Sequence, residues 1–243
     1  MRLDVYLFEK GLCESRTAAK NLINIGGVTV NGIRAAKVSL EVSDADRIEV
    51  VEVMLPKYVG RGGLKLEGAI KRWGIRLDGL VCVDIGSSTG GFTDCMLQNG
   101  AARVYAVDVG RDQLHERLRG DERVVSFENT DIRGFDMPDG KRADFIGTDV
   151  SFISLKLILP HIYRLLNDGG SAAALIKPQF EAGRGNLSKK GIVRNESVRR
   201  RVVEEICAFA KECGFTAAGT MESPITGGDG NVEYLLYLRK EQQ

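Results

Sequence analysis

Asp84-Ile-Gly-Ser-Ser-Thr-Gly-Gly-Phe-Thr-Asp94 follows the apolar run Val81-Cys-Val and leads into Cys95-Met-Leu-Gln. The order reads as a strand, a glycine-rich bend and a helix. A dinucleotide-binding chain would show G-x-G-x-x-G here. The glycines are instead Gly86, Gly90 and Gly91, and an acid, Asp84, stands at the strand's end. That spacing disfavours an NAD-dependent dehydrogenase. Outward from the bend, apolar strand-like runs recur at 81–85, 104–109, 124–127, 144–150, 171–176, 216–221 and 232–238. Helical stretches lie between most of them, notably 89–99, 155–167 and 197–213. Such alternation implies an α/β domain with a mostly parallel sheet covered on both faces. The last two runs are joined through Gly227-Gly228-Asp229-Gly230 without a helix, so they pair antiparallel.

Seven strands closing in such a hairpin resemble the class I, Rossmann-like methyltransferase fold. Ligands of open α/β sheets sit beyond the carboxyl ends of the strands, at the switch point. The bend Gly86-Ser-Ser88-Thr-Gly90-Gly91-Phe92 lies at that edge, and its glycines permit close backbone approach. The next strand ends in Asp108, where a carboxylate can accept both hydroxyls of a ribose, and the third leads to Thr130-Asp131-Ile132. Any one of Asp84, Asp108 and Asp131 alone reads more readily as a cap or turn residue. All three at successive strand ends mark a ligand rim. They would repel a pyrophosphate and suit a ligand bearing ribose, adenine, an amine and a cationic sulfonium. S-adenosylmethionine is therefore the expected cofactor, held by Asp84, Gly86, Ser88, Gly90, Gly91, Phe92, Asp108 and Asp131.

The totals agree with a globular chain: 243 residues, 43% hydrophobic, 28% charged, net charge +1. That is far from the disordered class, and partner preference must come from charge distribution. The five cysteines form no C-x-x-C pair and read as buried thiols of a reducing cytosol rather than a zinc site. The opening MRLDVYLFEKG carries Asp4 and Glu9, so no signal peptide is expected. No run of eighteen uncharged apolar residues exists to span a membrane. A cytoplasmic protein without metal is expected. His115 and His161 read as structural or exposed, not catalytic.

Residues 1–56 read as a separate α+β unit. Leu3, Leu7 and Phe8 share a helix face between Arg2 and Lys10; Ser15 caps a second helix, Arg16 to Asn24; Asn31-Gly32 joins two short β runs. Val38 to Val53 alternates apolar and polar around Asp44-Ala-Asp46. Arg16 and Lys20 lie four apart on one helix face, and residues 1–37 hold six bases against three acids. A solvated face is the plain reading of that charge. The order Arg2-Leu-Asp-Val-Tyr-Leu, Ser15-Arg16, Ala18-Ala-Lys20 and Gly26-Gly-Val-Thr-Val-Asn31-Gly32 resembles the S4-like RNA-binding module of ribosomal and tRNA-handling proteins. The resemblance implies an RNA-facing surface built on Arg2, Arg16, Lys20 and Arg34. A hinge over 57–63, containing Gly60-Arg61-Gly62-Gly63, would join it to a methyltransferase domain over 64–243, with a helix starting near Leu64.

The acceptor is read from the remaining strand ends. An Asn-Pro-Pro-aromatic motif for amino methylation is absent; Thr148-Asp149-Val150-Ser151-Phe152 stands there instead. The fifth run ends Leu175-Ile-Lys177-Pro178-Gln179-Phe180, and a lysine closing an apolar strand needs a partner or a task. The last strand opens Asn231-Val232-Glu233, antiparallel, so its start meets the other strands' ends. Lys65, Asp149, Lys177 and Glu233 are thus expected at one edge. That set, in that order, resembles FtsJ-type ribose 2′-O-methyltransferases. With Arg61-Gly-Gly-Leu-Lys65-Leu, Asp149-Val-Ser-Phe-Ile-Ser154 and Ile176-Lys-Pro-Gln-Phe180, the whole chain is similar to the TlyA family of rRNA 2′-O-methyltransferases, whose members are also labelled hemolysins. Gly60 departs from the serine expected at that point of the hinge.

The resemblance implies Lys177 as the base for a ribose 2′-hydroxyl, its pKa lowered by burial and by Lys65. Asp149 and Glu233 would orient the two lysines, and Lys65 would position the ribose or a phosphate. The segment Arg184 to Arg201 carries seven bases against Glu196. With Arg61, its Arg184, Lys189 and Lys190 are candidate RNA contacts, although a basic run is ordinarily a solvated face. The expected partner is ribosomal RNA or a ribosomal subunit. Two other classes compete. A non-catalytic RNA-binding protein would need only the first domain. A membrane-active hemolysin would need an apolar or amphipathic segment that the sequence lacks.

Overall fold

The computed structural model of the chain describes residues 1–50, 57–228 and 230–242. It divides into two compact units, Met1–Lys57 and Tyr58–Gln243. In the first, α1 (Leu3–Glu9) and α2 (Arg16–Asn24) pack on a three-stranded sheet of β1 (Val28–Val30), β2 (Ile33–Arg34) and β3 (Ile48–Val50), ordered β2-β1-β3. Ser15 Oγ accepts from the Ala18 amide at 3.1 Å and so starts α2. Asn31 (φ 52°) and Gly32 (φ 79°) are both left-handed, as the tight turn joining β1 to β2 requires. Leu3, Leu7, Ala19, Leu22, Ile23 and Val28 form the core.

The alternating run expected from Val38 to Val53 is only partly a strand. Among its described residues Ile48–Val50 alone pairs with β1. Before it the chain turns sharply, because the Asp46 carboxylate gathers the Ser43 amide and the Asn31 side chain, each at 2.8 Å. The domain edge read near Pro56 lies outside the described residues, as do residues 51–53 of that run.

The second unit opens with α3 (Gly62–Trp73), which begins two residues before the expected Leu64 and ends at left-handed Gly74. There follow β4 (Val81–Ile85), α4 (Gly91–Gln98), β5 (Arg103–Val107), α5 (Glu116–Arg119), β6 (Val124–Phe127), β7 (Ala143–Thr148), α6 (Leu159–Leu165), β8 (Leu166–Ile176), α7 (Pro178–Glu181), α8 (Glu196–Glu212), β9 (Thr216–Glu222) and β10 (Tyr234–Arg239). The expected helix at 155–167 is shorter. A 3₁₀ turn (Leu155–Leu157) precedes α6, Pro160 sits in the first turn of α6, and β8 begins at Leu166.

The seven strands are ordered β6-β5-β4-β7-β8-β10-β9. β10 runs antiparallel to both neighbours, so Tyr234 pairs Ile176 on one side and Glu222 on the other. Alternation feeds two cores. Val83, Ile85, Tyr105, Val107 and Ile146 enter one, packed under α6 and α8 residues such as Ile162 and Ile206. Cys82, Val104, Ala106 and Phe145 enter the other, with Leu66 and Ala69 of α3 and Cys95 and Met96 of α4. The sheet's outward order reverses at β4, and the carboxyl ends of β4, β5, β7 and β8 share one edge with the start of β10.

Candidate active site

The bend after β4 is shaped by close backbone approach. A Cβ on Gly86 (φ +79°) would lie 2.9 Å from the Asp149 carbonyl oxygen, so only glycine lets β4 and β7 end side by side. A Cβ on Gly91 would meet the Gly63 amide nitrogen at 2.9 Å, which is how α4 starts against α3. One on Gly60 would meet Thr89 Oγ1 at 2.6 Å, so the serine expected there would press on the bend itself.

Two connected lobes open at this edge. A cavity of about 500 Å³ is lined by Ile85, Gly86, Ser88, Asp108, Val109, Gln113, Asp131 and Phe152, among others. A smaller one of about 200 Å³ is lined by Gly62, Asp84, Ser87, Thr89, Gly91, Phe92 and Lys177. Gly86, Ser88, Asp149 and Ser151 border both. The shape suits a ligand with a flat, mostly apolar end and a short polar tail.

The three acids turn out chemically different. Asp84 is fully buried; its Oδ2 accepts from Thr93 N at 2.9 Å and Thr93 Oγ1 at 2.7 Å, while Oδ1 is buried without a hydrogen-bond partner among the described residues. Burial pushes its pKa up to about 7, against the lowering effect of the Thr93 bonds. Asp108 accepts from the Ser88 amide at 2.8 Å and the Gly110 amide at 2.7 Å, which aims the carboxylate at the larger lobe. Asp131 lines that lobe too, but Arg133 grips it at 2.6 Å and pulls its pKa down to about 2. Asp131 is therefore not the free negative charge expected at the rim, because its pair with Arg133 neutralises it.

Gly90 faces away from both lobes: it is left-handed (φ +95°), and a Cβ there would run into Leu118. Phe92 is 3% exposed and packs on Gly62 and Gly147, so its contribution is to the wall.

Lys65, Asp149, Lys177 and Glu233 come together from four elements. Lys65 Nζ donates to Glu233 Oε2 at 2.7 Å and to Asp149 Oδ2 at 3.4 Å. Lys177 Nζ lies 2.6 Å from Asp149 Oδ1, an ion pair. Both lysines are under a tenth exposed, and the four charges cancel. The sequence reading missed two further members. Ser151 Oγ accepts from Lys177 Nζ at 2.7 Å, and Gln179 Nε2 donates to Glu233 Oε1 at 3.2 Å. Both stand two residues from a singled-out charge, and that offset was the available signal. A third buried lysine, Lys240, also closes an apolar strand. It is held by Asp168, by the Tyr163 and Leu166 carbonyls and over the Tyr163 ring. The strand-end lysine pattern therefore marks partnered burial; only convergence at the cavity separates Lys177 from Lys240.

The basic residues divide by what they already hold. Arg2 and Arg16 clasp the buried carboxylate of Asp4, at 3.0 and 3.2 Å, with their own side chains about half exposed. Arg34 donates to the Ile25 carbonyl, and Lys20 is exposed. Arg61 donates to the Thr226 carbonyl at 3.0 Å. Arg199, Arg200 and Arg201 are engaged locally, whereas Arg184, Lys189 and Lys190 are exposed and carry no ion pair among the described residues. His115 Nδ1 accepts the Arg117 amide and caps α5, a structural task. Among the described residues no cluster of His, Cys, Asp or Glu is placed to hold a metal, and no helix is long and apolar enough to cross a membrane.

A seven-stranded sheet with one antiparallel strand and a ligand cleft at its switch point defines the class I methyltransferase fold. Within that class the chain belongs to the FtsJ-like methyltransferase family, matched over residues 58–240, and it carries an S4 domain over residues 1–48. A Bacillus subtilis (strain 168) protein provisionally named rRNA methyltransferase YqxC is 49% identical over 98% of this chain and 85% of its own length. The 16S/23S rRNA (cytidine-2′-O)-methyltransferase TlyA of Mycobacterium tuberculosis is 41% identical over 99% of this chain and 90% of its own. A solved structure from Streptococcus thermophilus, provisionally labelled a hemolysin, is 44% identical, with TM-score 0.77 over 99% of this chain and 88% of that one.

Proposed function

We propose that this chain is an S-adenosylmethionine-dependent methyltransferase that modifies a ribose 2′-hydroxyl of ribosomal RNA, acting in the cytoplasm on rRNA or a ribosomal subunit. The observation that carries the reading is the Lys65–Asp149–Lys177–Glu233 cluster, whose Asp149 borders both cavity lobes and whose Lys177 lines the smaller one. The residues fit the cofactor. Asp108 would take the ribose hydroxyls, the larger lobe the adenine, and Asp84, which lines the smaller lobe, would face the amine. S-adenosylmethionine, when bound, supplies a methyl group on a cationic sulfur, which needs little further activation.

The chain's own work is placement and proton removal. A ribose hydroxyl is a poor nucleophile until a base takes its proton during attack. Lys177, held by Asp149 and Ser151, is the group placed to take that proton. Asp149 holds Lys177 on one oxygen and Lys65 on the other, which sets their separation. Lys65, fastened to Glu233, presents positive charge to the ribose or an adjacent phosphate. Gln179 fixes the Glu233 rotamer. Alignment of hydroxyl and methyl is the largest contribution. The S4 unit supports RNA as the substrate class, with Arg2, Arg16, Lys20 and Arg34 as its candidate contacts.

Mapping 2′-O-methylated riboses in rRNA from cells with and without this gene tests the proposal. At least one ribose methylation should vanish on deletion and return with the intact gene. An unchanged map, together with a protein that binds S-adenosylmethionine in calorimetry, would reject ribosomal ribose as the acceptor.

A further inference from the structure

The segment between α7 and α8 is fastened by a buried amide to the stretch that carries Glu233 into β10. Asn231 is 2% exposed. Its Oδ1 accepts from the Val193 amide at 3.1 Å, and its Nδ2 donates to the Gly191 carbonyl at 3.1 Å. Both amide atoms are thus spent on a segment about 40 residues away in sequence. Arg199 clamps the same place from α8, donating to the Val193 and Arg194 carbonyls at 3.1 and 2.9 Å and to the Tyr234 hydroxyl at 3.3 Å. Asn231 and Tyr234 flank Glu233, so the attachment point lies within about 7 Å of that residue along the backbone.

What is fastened is a tight turn. The Gly191 amide donates to the Ser188 carbonyl at 2.9 Å, the Ser188 amide to the Ile192 carbonyl at 3.0 Å, and the Ile192 amide to Ser188 Oγ at 3.1 Å. Gly191 takes the left-handed conformation (φ 72°) that closes it, and Val193, 1% exposed, anchors it in the core. Lys189 and Lys190 occupy the two tip positions, exposed and without an ion pair among the described residues. A solvated basic loop has no need of a buried amide at its base. Two charges held at a constant offset from Glu233 can do what flexible lysines cannot: bind backbone phosphate without losing the register of the ribose.

We propose that the Ser188–Gly191 turn is a phosphate clamp for the RNA strand that carries the target ribose, and that Asn231 and Arg199 are the positioning residues that tie it to the stretch around Glu233 at the start of β10. The inference rests on the RNA substrate proposed above. Its test is an equilibrium one and needs no turnover. Binding of ribosomal RNA stripped of protein is titrated against salt for the intact chain, a Lys189→Ala/Lys190→Ala variant, Asn231→Ala, and the combination. Two lost phosphate contacts should cut affinity on the order of 30-fold at 0.1 M salt and make the slope of log K against log salt shallower by about 1.5. Asn231→Ala should show part of the same slope change with S-adenosylmethionine affinity intact. In the lysine-free background it should cost nothing more, because its effect runs through the lysines. If Asn231→Ala fails to fold, Asn231→Asp keeps the acceptor for Val193 and loses the donor to Gly191, and serves in the same cycle. An unchanged salt slope in the lysine variant overturns the clamp. Additive losses show Asn231 to be a structural residue and overturn its positioning role. A chain with the expected slopes that methylates no ribose refutes the proposed reaction and leaves the clamp standing.

Discussion

Lys177 is where chemistry and architecture make opposite forecasts. Its Nζ holds Asp149 at 2.6 Å and Ser151 at 2.7 Å, and its side chain is 10% exposed. Lys177→Ala removes the proposed base, so single-turnover methyl transfer should fall by roughly 10²–10⁴. At 1.36 kcal/mol per tenfold, that is about 3–5 kcal/mol of barrier. The same change strips Asp149 of its nearer cation and leaves Lys65 at 3.4 Å. Removing one partner of a fully buried pair costs about 3–5 kcal/mol. Asp149 is 18% exposed and keeps one partner, so about 1–3 kcal/mol of stability is the expected loss. Lys177→Arg separates the two effects. A guanidinium can restore the ion pair and recover the melting temperature, but it cannot surrender a proton in this pH range. Stability should return and the rate should not. Thermal melts and single-turnover assays with saturating S-adenosylmethionine give both numbers. A stable Lys177→Arg chain with near-native rate would refute the general-base role and leave positioning by charge in its place.

Asp108→Ala should weaken S-adenosylmethionine binding by about 1.5–3 kcal/mol through loss of charge-assisted bonds to the ribose, read by calorimetry; unchanged affinity in a folded variant would exclude Asp108 from the site. Asp84, with its pKa raised to about 7, prefers its proton in the folded chain, so its contribution is fully present below about pH 4 and is lost as pH rises through 7. The stability of the cofactor-free chain should therefore decline more steeply between pH 4 and 8 than that of Asp84→Asn, by a difference of a few kcal/mol, and parallel denaturation profiles would show the carboxyl to be ionised throughout. A chain starting at Tyr58 should bind cofactor as the intact chain does and lose most activity on ribosomal substrate; full activity would make the S4 unit dispensable.

Much of this protein is written locally. Ser15 caps α2, the Asn31-Gly32 pair makes the β1–β2 turn, and the glycine bend after Val81–Ile85 opens α4, because each depends on backbone preferences spanning a few residues. Apolar runs alternating with helical stretches placed the strands, and the Gly227–Gly230 link made the last one antiparallel, which was enough to bring Lys65, Asp149, Lys177 and Glu233 to one edge on paper. What a side chain does once there depends on neighbours that only the assembled sheet supplies. Arg133 claims Asp131 and removes a charge from the cofactor rim, while Leu118 fills the space beside Gly90. Asp46 draws in Ser43 and Asn31, and the expected strand from Val38 becomes a turn. Lys240 and Lys177 end similar apolar strands, yet one meets the Tyr163 and Leu166 carbonyls and the other a cavity. Asn231 reaches Gly191 across 40 residues of chain. Local sequence sets φ and ψ over a few residues, and so the elements; ion pairs and buried amides are decided by distances that exist only after those elements have packed.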